Sequence, residues 1–338
     1  MRLSFNFHDI VALEIDADEA SAAFFQAEYR PYLGASSLPG TPRVRLMVQR
    51  GAPRTAPAPW TRWTHKFLAR WAYRIRLGED EVLIEAVGNR WAIPMVHHML
   101  VHPSLRYLAA HRGVLMLHAG AVAFNGRSLL FTGHGGVGKT TTVSALLADD
   151  GAGLALHADD YVFVTPQGET FSYLTRAHLY QPLLSWVPVL RARLTVEERI
   201  RLRVLGAIRR WSRDRIKWPV RMAQDRLWPE VPHARQAHLA AVVWLARGQG
   251  PRATLAPFTP TMQDRQDLLA MNFYEARHFI ALLEAQESKA KADIAVWRER
   301  EAALLKQLLD GAPSYRLALP REGRDLSFLP ALKQLVSP

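Results

Sequence analysis

The clearest chemical pattern in the sequence is a glycine-rich segment near the middle of the chain. It matches G-x-x-x-x-G-K-[ST] at every fixed position, and it reads Gly133, His134, Gly135, Gly136, Val137, Gly138, Lys139, Thr140. Glycines let the backbone curl with its N–H groups pointing inward, where they can hold phosphate oxygens beside the positive end of the following helix. The pattern predicts that the segment and the adjacent Thr141 bind a nucleoside triphosphate. The alternative is a glycine turn that joins a strand to a helix, with an ordinary surface lysine.

Two side chains of this segment have specific expected roles. Lys139 places a positive charge at the β- and γ-phosphates, and the hydroxyl of Thr140 is placed to bind Mg²⁺. An apolar run precedes the glycines and a helical pattern follows them, which is the strand–loop–helix context that this motif requires.

A pair of aspartates, Asp159 and Asp160, follows the apolar run 154–158 and begins 20 residues after Lys139. One crossover helix fits that interval, so this strand can lie in the same sheet as the strand before the glycines. Its carboxyl end would then lie beside the phosphates, where a metal-binding aspartate is expected. One carboxylate would bind Mg²⁺ and the other would accept a proton from an attacking hydroxyl. The alternative is one metal aspartate beside a turn or capping aspartate.

Two further side chains are weaker candidates. His118 ends an apolar strand 21 residues before Lys139 and could orient a carboxylate, or it could be a hydrogen-bonded histidine of the core. Arg176 follows the aspartates and could stabilise charge on a phosphate, although a surface arginine is the simpler interpretation.

The hydrophobic pattern of the sequence predicts the strands and helices that must position these residues. Alternating and apolar runs predict strands at 44–48, 72–77, 81–86, 114–118, 121–124, 128–132, 154–158, 240–245 and 315–319. Helical patterns cover 94–111, 139–148, most of 183–230, 262–285, 289–310 and 327–336. Asn125-Gly126 predicts a hairpin turn, Gly151 and Gly153 predict the end of a helix, and 51–59 resembles a linker. We predict an α+β domain over 1–105, a core over 106–260 with a basic helical insertion at about 183–230, and a mainly helical segment over 261–338.

Composition restricts the classes of function. The chain of 338 residues has a formal net charge of +12, and the stretch 191–226 holds twelve Lys or Arg against four acids. This surface attracts anions such as nucleotides, acidic peptides or nucleic acid. The chain has no cysteine, which excludes disulfides and cysteine metal sites. It also lacks a signal-peptide pattern and any run of 18 apolar residues, so we expect a cytoplasmic protein without a membrane span.

The motifs together resemble those of the bacterial HPr serine kinase/phosphorylase family and, more closely, of HPr-kinase-like proteins that include peptide-modifying kinases. The resemblance rests on 117–122 (LHAGAV), the glycine segment and 157–160 (HADD), with a weaker match over 228–245. It implies a nucleotide-binding core similar to that of phosphoenolpyruvate carboxykinase. It also implies that Asp159 and Asp160 supply the metal contact and the base, with Thr140 and Asp159 at the metal, and that His118 interacts with the carboxylates. The C-terminal signature by which HPr kinases hold HPr is not recognisable here, so HPr is not the expected acceptor.

The expected fold class is therefore α/β, with a mixed sheet and flanking helices around a phosphate loop, a smaller N-terminal α+β domain and a helical C-terminal part. The expected function is a kinase that uses ATP, with GTP left open, and Mg²⁺ to phosphorylate a hydroxyl of a peptide, protein or small molecule. An acidic acceptor would contact 191–226, and the alternative for this stretch is a solvated basic helix face whose tryptophans lie in the core. Related kinases form oligomers, which leaves a homo-oligomer open. The alternatives are a nucleotide-hydrolysing switch or nucleic-acid-binding protein, for which helicase, GTPase and ABC motifs are missing, and a carboxykinase-like enzyme.

Overall fold

The computed structural model describes residues 1–53, 60–65, 68–149, 153–216, 218–285, 290–320 and 325–336. Three predicted features lie outside these residues, namely part of the linker-like segment (54–59), the helix-ending Gly151, and Lys217 of the basic stretch. The fold is mixed α/β, as predicted.

The described residues form strands and helices that are numbered in chain order. The strands are β1 (Arg2–Phe7), β2 (Val11–Ala17), β3 (Arg43–Arg50), β4 (Thr61–His65), β5 (Ala69–Leu77), β6 (Glu81–Gly88), β7 (Leu115–Leu117), β8 (Gly120–Phe124), β9 (Arg127–Thr132), β10 (Ala155–Ala158), β11 (Tyr161–Val164), β12 (Glu169–Tyr173), β13 (Ala177–Leu179), β14 (Val220–Met222), β15 (Gln236–Arg247), β16 (Thr254–Pro257) and β17 (Ser314–Leu319). The helices are α1 (Glu19–Glu28), α2 (Ile93–Val96), α3 (His102–His111), α4 (Lys139–Leu147), α5 (Leu183–Trp186), α6 (Val189–Ala192), α7 (Val196–Trp211), α8 (Gln224–Leu227), α9 (Met262–Glu275), α10 (Arg277–Glu284), α11 (Ala290–Gly311) and α12 (Leu329–Val336).

The chain divides into two compact units that do not follow the three predicted segments. Unit 1 combines Met1–Met116 with Arg265–Leu308, and unit 2 combines Leu117–Asp264 with Leu309–Pro338. The predicted C-terminal segment 261–338 is thus shared, because most of α9–α11 groups with the N-terminal part, whereas β17 and α12 group with the core. The prediction divides the chain into consecutive segments, and such segments cannot describe units in which elements distant along the chain pack together.

Unit 1 contains a six-stranded mixed sheet in the order β1-β2-β3-β6-β5-β4. The hairpin predicted from 72–77 and 81–86 is confirmed, because β5 and β6 pair antiparallel. The helix predicted over 94–111 is also confirmed, with one local difference. A π-helical turn at His97–Val101 separates α2 from α3, and α3 packs against β2, β3 and β6.

A buried charged cluster joins α3 to α9 and α11 within unit 1. The guanidinium of Arg106 donates Nε–H to Glu301 Oε1 at 2.7 Å and pairs with the second carboxylate oxygen. Trp297 donates its indole N–H to the same carboxylate at 2.7 Å, and Asn272 donates to it at 3.2 Å. Arg106 is 2% exposed and Glu301 is fully buried. Water therefore does not stabilise these charges, and each is stabilised by the opposite charge of the other.

Unit 2 is organised around the strands β16-β17-β15-β9-β8-β10-β12-β11, in that order, of a nine-stranded sheet whose last strand is β7. The predicted hairpin is confirmed, because β8 and β9 pair antiparallel around Asn125 and Gly126, whose φ angles of 46° and 76° suit a tight hairpin turn. The strand β15 pairs parallel with both β9 and β17. The apolar interior of β9 (Leu129, Leu130 and Phe131) is fully buried.

Helix α4 follows the glycine segment and covers this sheet through contacts with β8, β9 and β10. Its buried face includes Val143, Leu146 and Leu147. The region 183–230 is mostly helical, as predicted, but it also contains β14, which pairs antiparallel with β13. Among the described residues, no helix combines the length and the apolar character needed to cross a bilayer.

Candidate functional site

The glycine segment connects the end of β9 to the first turn of α4. Gly133, Gly136 and Gly138 have φ angles of 140°, 79° and 126°, which residues other than glycine rarely adopt. His134, Gly135 and Gly136 are exposed, whereas Val137 is buried beneath them. The segment is therefore a curled loop whose outer turn faces solvent and whose base is fixed in the core.

Two contacts with β15 hold this loop in position. A side chain at Gly133 would place its Cβ 2.7 Å from the backbone oxygen of Leu245, so only glycine allows this approach. Arg247 at the end of the same strand donates a hydrogen bond to the carbonyl oxygen of Gly136 at 3.0 Å. Because β15 runs parallel to β9, its carboxyl end lies beside the loop. Arg247 belongs to no sequence motif, so its position beside the loop was not predictable.

Lys139 lies over the loop that precedes it. Its ammonium group donates a hydrogen bond to the carbonyl oxygen of Gly133 at 2.8 Å, and the residue is only 8% exposed. An ordinary surface lysine would extend into water. The amine is instead held inside the curve of the loop, where an anion placed among the loop N–H groups would meet it.

Asp159 meets the start of helix α4. Strands β9 and β10 both pair antiparallel with β8, so they run in the same direction and their carboxyl ends lie at one edge of the sheet. The carboxylate of Asp159 interacts with the side chains of Thr140 and Gln224. The predicted proximity of the second strand to the loop is therefore present, with β8 placed between the two strands.

The environment of Asp159 favours its protonated form. Burial is the largest cause and the neighbouring negative charge of Asp160 adds to it, whereas the interactions with Thr140 and Gln224 act in the opposite direction. Together they raise the pKa of Asp159 to about 7. A divalent cation next to this carboxylate would compensate both causes, because it supplies the opposite charge.

Asp160 points to a different neighbour. Its Oδ1 lies 3.2 Å from Nδ1 of His118, and about half of the Asp160 side chain is exposed, compared with 11% of His118. The ring of His118 also packs against the ring of Tyr161 at 4.9 Å between centroids. The two aspartates thus differ in surroundings, since Asp159 faces the loop helix and Asp160 is open to solvent beside an imidazole.

Gly120, at the start of β8, makes this arrangement possible. A Cβ at this position would lie 2.9 Å from Cγ2 of Val143 and 3.3 Å from the backbone oxygen of Asp159. The close approach lets β8 begin directly against α4 and the aspartates, two residues after His118. The sequence contained this signal in the run LHAGAV, although only its histidine was assigned a role.

The sheet also brings an unexpected residue to the aspartates. Gln224, the first residue of α8, is buried and interacts with the Asp159 carboxylate, and its side-chain amide donates a hydrogen bond to the backbone oxygen of Thr175 at 3.2 Å. β10 pairs parallel with β12 through Ala158 and Tyr173, which leads the chain from β12 toward this edge, and Arg176 follows Thr175 directly.

The basic stretch is partly neutralised within unit 2. Arg226 forms two hydrogen bonds with Glu198, at 2.6 and 2.7 Å, and Arg209 pairs with Asp214. Trp211 is 85% exposed at the end of α7. Within the described residues, no cluster of three or more His, Asp or Glu side chains could hold a metal ion, so the candidate metal position consists of one hydroxyl and one carboxylate.

No protein-family model matches this chain, and the search of curated proteins likewise gives no match.

Proposed function

We propose that this chain is an ATP-dependent kinase of the HPr-kinase-like type, which transfers the γ-phosphate to a hydroxyl group with the help of Mg²⁺. The observation that carries the proposal is the convergence of three groups at one edge of the sheet in unit 2. These are the lysine-bearing loop, the pair formed by Thr140 and Asp159, and the pair formed by His118 and Asp160.

The loop fits a triphosphate. Its exposed turn leaves open space around Gly135 and Gly136, where a Cβ would meet nothing within 4 Å. Backbone N–H groups, the N-terminus of α4 and the amine of Lys139 all supply positive partial or full charge there. Lys139 would exchange its bond to the Gly133 carbonyl for phosphate oxygens.

The fit for a divalent cation rests on the adjoining oxygen atoms of Thr140 and Asp159. Hydroxyl and carboxylate oxygens are the ligands that Mg²⁺ takes in sites of this type, together with water and phosphate. When bound, the cation would neutralise negative charge on the phosphates. Asp159 would bind it in the ionised form, and Gln224 would keep that carboxylate oriented.

Asp160 is suited to the role of proton acceptor. It would take the proton of the acceptor hydroxyl while that oxygen forms a bond to the γ-phosphorus and the bond to the β–γ bridging oxygen breaks, releasing ADP. His118, 3.2 Å away, would fix the position of the carboxylate and stabilise its charge. An exposed carboxylate is required for this role, because the acceptor must reach it.

The test uses γ-labelled ATP with Mg²⁺ and three kinds of acceptor: serine-containing peptides, a protein and a polyol. Transfer of label to a hydroxyl in the wild-type protein, and its loss in Asp160→Asn, would support a kinase. Label released only as free phosphate, at a rate that DNA or RNA increases, would instead support the nucleotide-hydrolysing switch and overturn the proposal.

A further inference from the structure

A groove runs along helix α7 in unit 2, outside the nucleotide site. Its first cavity, of about 250 Å³, is lined by residues that include Tyr180, Gly206, Arg209, Arg210 and Trp218. A second cavity of about 390 Å³ adjoins it and is lined by residues that include Arg191, Arg199 and Arg203. Gln181 and Leu202 line both cavities, so the two form one continuous groove.

The groove is lined by both apolar and basic residues. Leu202, Leu205 and Pro182 line the first cavity, and Leu184 and Pro188 line the second. The described lining residues include five arginines and one acid, Asp214, which is paired with Arg209. Such a surface complements a ligand that has both apolar and negatively charged parts.

A glycine in the middle of α7 keeps the groove open. A Cβ at Gly206 would lie 2.1 Å from Oε1 of Gln181, and a longer side chain would fill the first cavity. Glycine in a helix interior is less favourable than alanine, so its presence there calls for a structural reason. A close approach of Gln181 accounts for glycine at this position and leaves the cavity beside it unfilled.

The two-stranded ribbon of β13 and β14 connects the groove to the aspartates. At one end, Met222 pairs with Ala177 and is followed by Gln224, which interacts with Asp159. At the other end, Leu179 pairs with Val220, and the flanking residues Tyr180 and Trp218 line the first cavity. These two pairs are two strand positions apart, or roughly 7 Å, so at least two residues of an extended peptide separate the groove from the aspartates.

The length of the groove also suits a peptide. From Arg199 to Arg210 the helix rises by roughly 17 Å, at about 1.5 Å per residue. That distance corresponds to about five residues of extended chain. Arg209 covers the ring of Tyr180 at 5.2 Å, so this ring is already stacked on one face, which favours an extended peptide over stacked bases.

We infer that this groove, which we call the α7 groove, binds an acidic segment of the peptide that the kinase phosphorylates. The acidic residues lie about three or more positions from the accepting serine or threonine. The inference rests on the proposed function, because that function supplies the substrate class, a peptide with a hydroxyl. The binding of an acidic peptide, however, can be measured without any phosphoryl transfer.

The test measures fluorescence anisotropy with a labelled peptide that carries one serine, three alanines and four glutamates, in that order. The matched peptide has glutamine in place of glutamate. We expect the glutamate peptide to bind at least about tenfold more tightly, a difference of about 1.4 kcal/mol, because its carboxylates make charge-assisted contacts to arginine that the glutamine amides cannot make. Arg203→Gln combined with Arg210→Gln removes this preference. The matched control is Arg201→Gln with Arg213→Gln, since both residues are exposed and neither is among the lining residues.

A second variant separates the shape of the groove from its charge. Gly206→Leu displaces the Gln181 side chain and occupies the first cavity, so it should weaken the binding of both peptides. The gain in helix propensity opposes the cost of moving Gln181, and circular dichroism with a thermal midpoint confirms that the variant is folded when binding is measured. Equal binding of the two peptides, equal effects of the groove and control pairs, or tighter binding of a 12-nucleotide single-stranded DNA would overturn the inference. Selective peptide binding without any phosphate transfer would overturn the kinase proposal alone.

Discussion

The side chain of Thr140 interacts directly with the carboxylate of Asp159, which joins the first turn of α4 to the end of β10. The residues lie 19 positions apart along the chain, and neither the loop motif nor the aspartate pair requires this contact by itself. The contact brings the glycine-rich loop and the aspartate pair, which the sequence shows as two separate motifs, into one site. It is also the reason why a cation bound at the loop would act on the same carboxylate.

Replacement of Lys139 by alanine should weaken nucleotide binding without unfolding the protein. The amine makes a hydrogen bond to the Gly133 carbonyl, and the phosphates would replace it with charge-assisted bonds worth about 1.5–3 kcal/mol. We expect the dissociation constant of a fluorescent ATP analogue to rise roughly ten- to hundredfold. Lys291→Ala, on the exposed surface of α11, is the control and should leave it unchanged.

The loop glycines should respond differently to alanine. Gly133→Ala places a Cβ 2.7 Å from the Leu245 carbonyl oxygen at a φ of 140°, and such backbone strain alone costs about 1–3 kcal/mol. At Gly135 a Cβ meets nothing within 4 Å, so Gly135→Ala should retain the wild-type thermal midpoint. Thermal unfolding of the two variants compares them directly. Equal midpoints would show that β15 does not constrain the loop.

The stability of the protein without Mg²⁺ should fall as the pH rises from about 4 to 7, in part because of Asp159. Its pKa is raised from 3.8 to about 7, so the folded state binds more protons than the unfolded state in this window, and the slope of unfolding free energy with pH is negative. Asp159→Asn should remove this part of the slope. The measurement is the denaturant midpoint of both proteins at several pH values.

A curve for Asp159→Asn that runs parallel to the wild-type curve would contradict the raised pKa. Added Mg²⁺ and nucleotide should stabilise the wild-type protein more at pH 8 than at pH 5, because protons compete with the cation for the carboxylate. The same comparison in Asp159→Asn controls for titration of the nucleotide itself.

The buried cluster of unit 1 gives a prediction about stability alone. Glu301→Ala leaves the Arg106 guanidinium buried without its carboxylate, and breaking a buried pair in this way costs about 3–5 kcal/mol. Glu299→Ala is the matched control on the exposed face of α11 and should change the unfolding free energy by less than about 0.5 kcal/mol. Equal denaturant midpoints for the two variants would show that the cluster does not hold α3, α9 and α11 together.

Elements governed by local chemistry were predictable from the sequence. The residues Asn125 and Gly126 by themselves favour a tight hairpin turn. The apolar runs of β9 and β10 have the length and composition of buried strands. The short strand β14 was missed because three residues do not establish an alternating period. The pairing of β12 with β15 was also not predictable, since it depends on contacts between residues such as Glu169 and His238 that are 69 positions apart.

The residues of the candidate site also include some that could be predicted from the sequence and some that could not. The loop, Asp159 and Asp160 were predicted from their residue types and spacing, whereas a role for His118 was implied only by the resemblance to HPr-kinase-like proteins. Gln224 and Arg247 could not be predicted, because one follows a short strand in the basic region and the other ends a long strand. Their roles arise only when the sheet places them against Asp159 and Gly136.

The most direct measurement of the central proposal compares binding and transfer in Asp160→Asn. Transfer of the labelled γ-phosphate to a hydroxyl acceptor should fall by roughly 10²–10⁴-fold, the usual contribution of a general base, while the dissociation constant for the magnesium-bound ATP analogue stays within about threefold, less than 1 kcal/mol. Asp160→Asn protein that transfers phosphate at the wild-type rate would contradict the role of Asp160, and wild-type protein that binds the nucleotide but phosphorylates no hydroxyl would contradict the kinase itself.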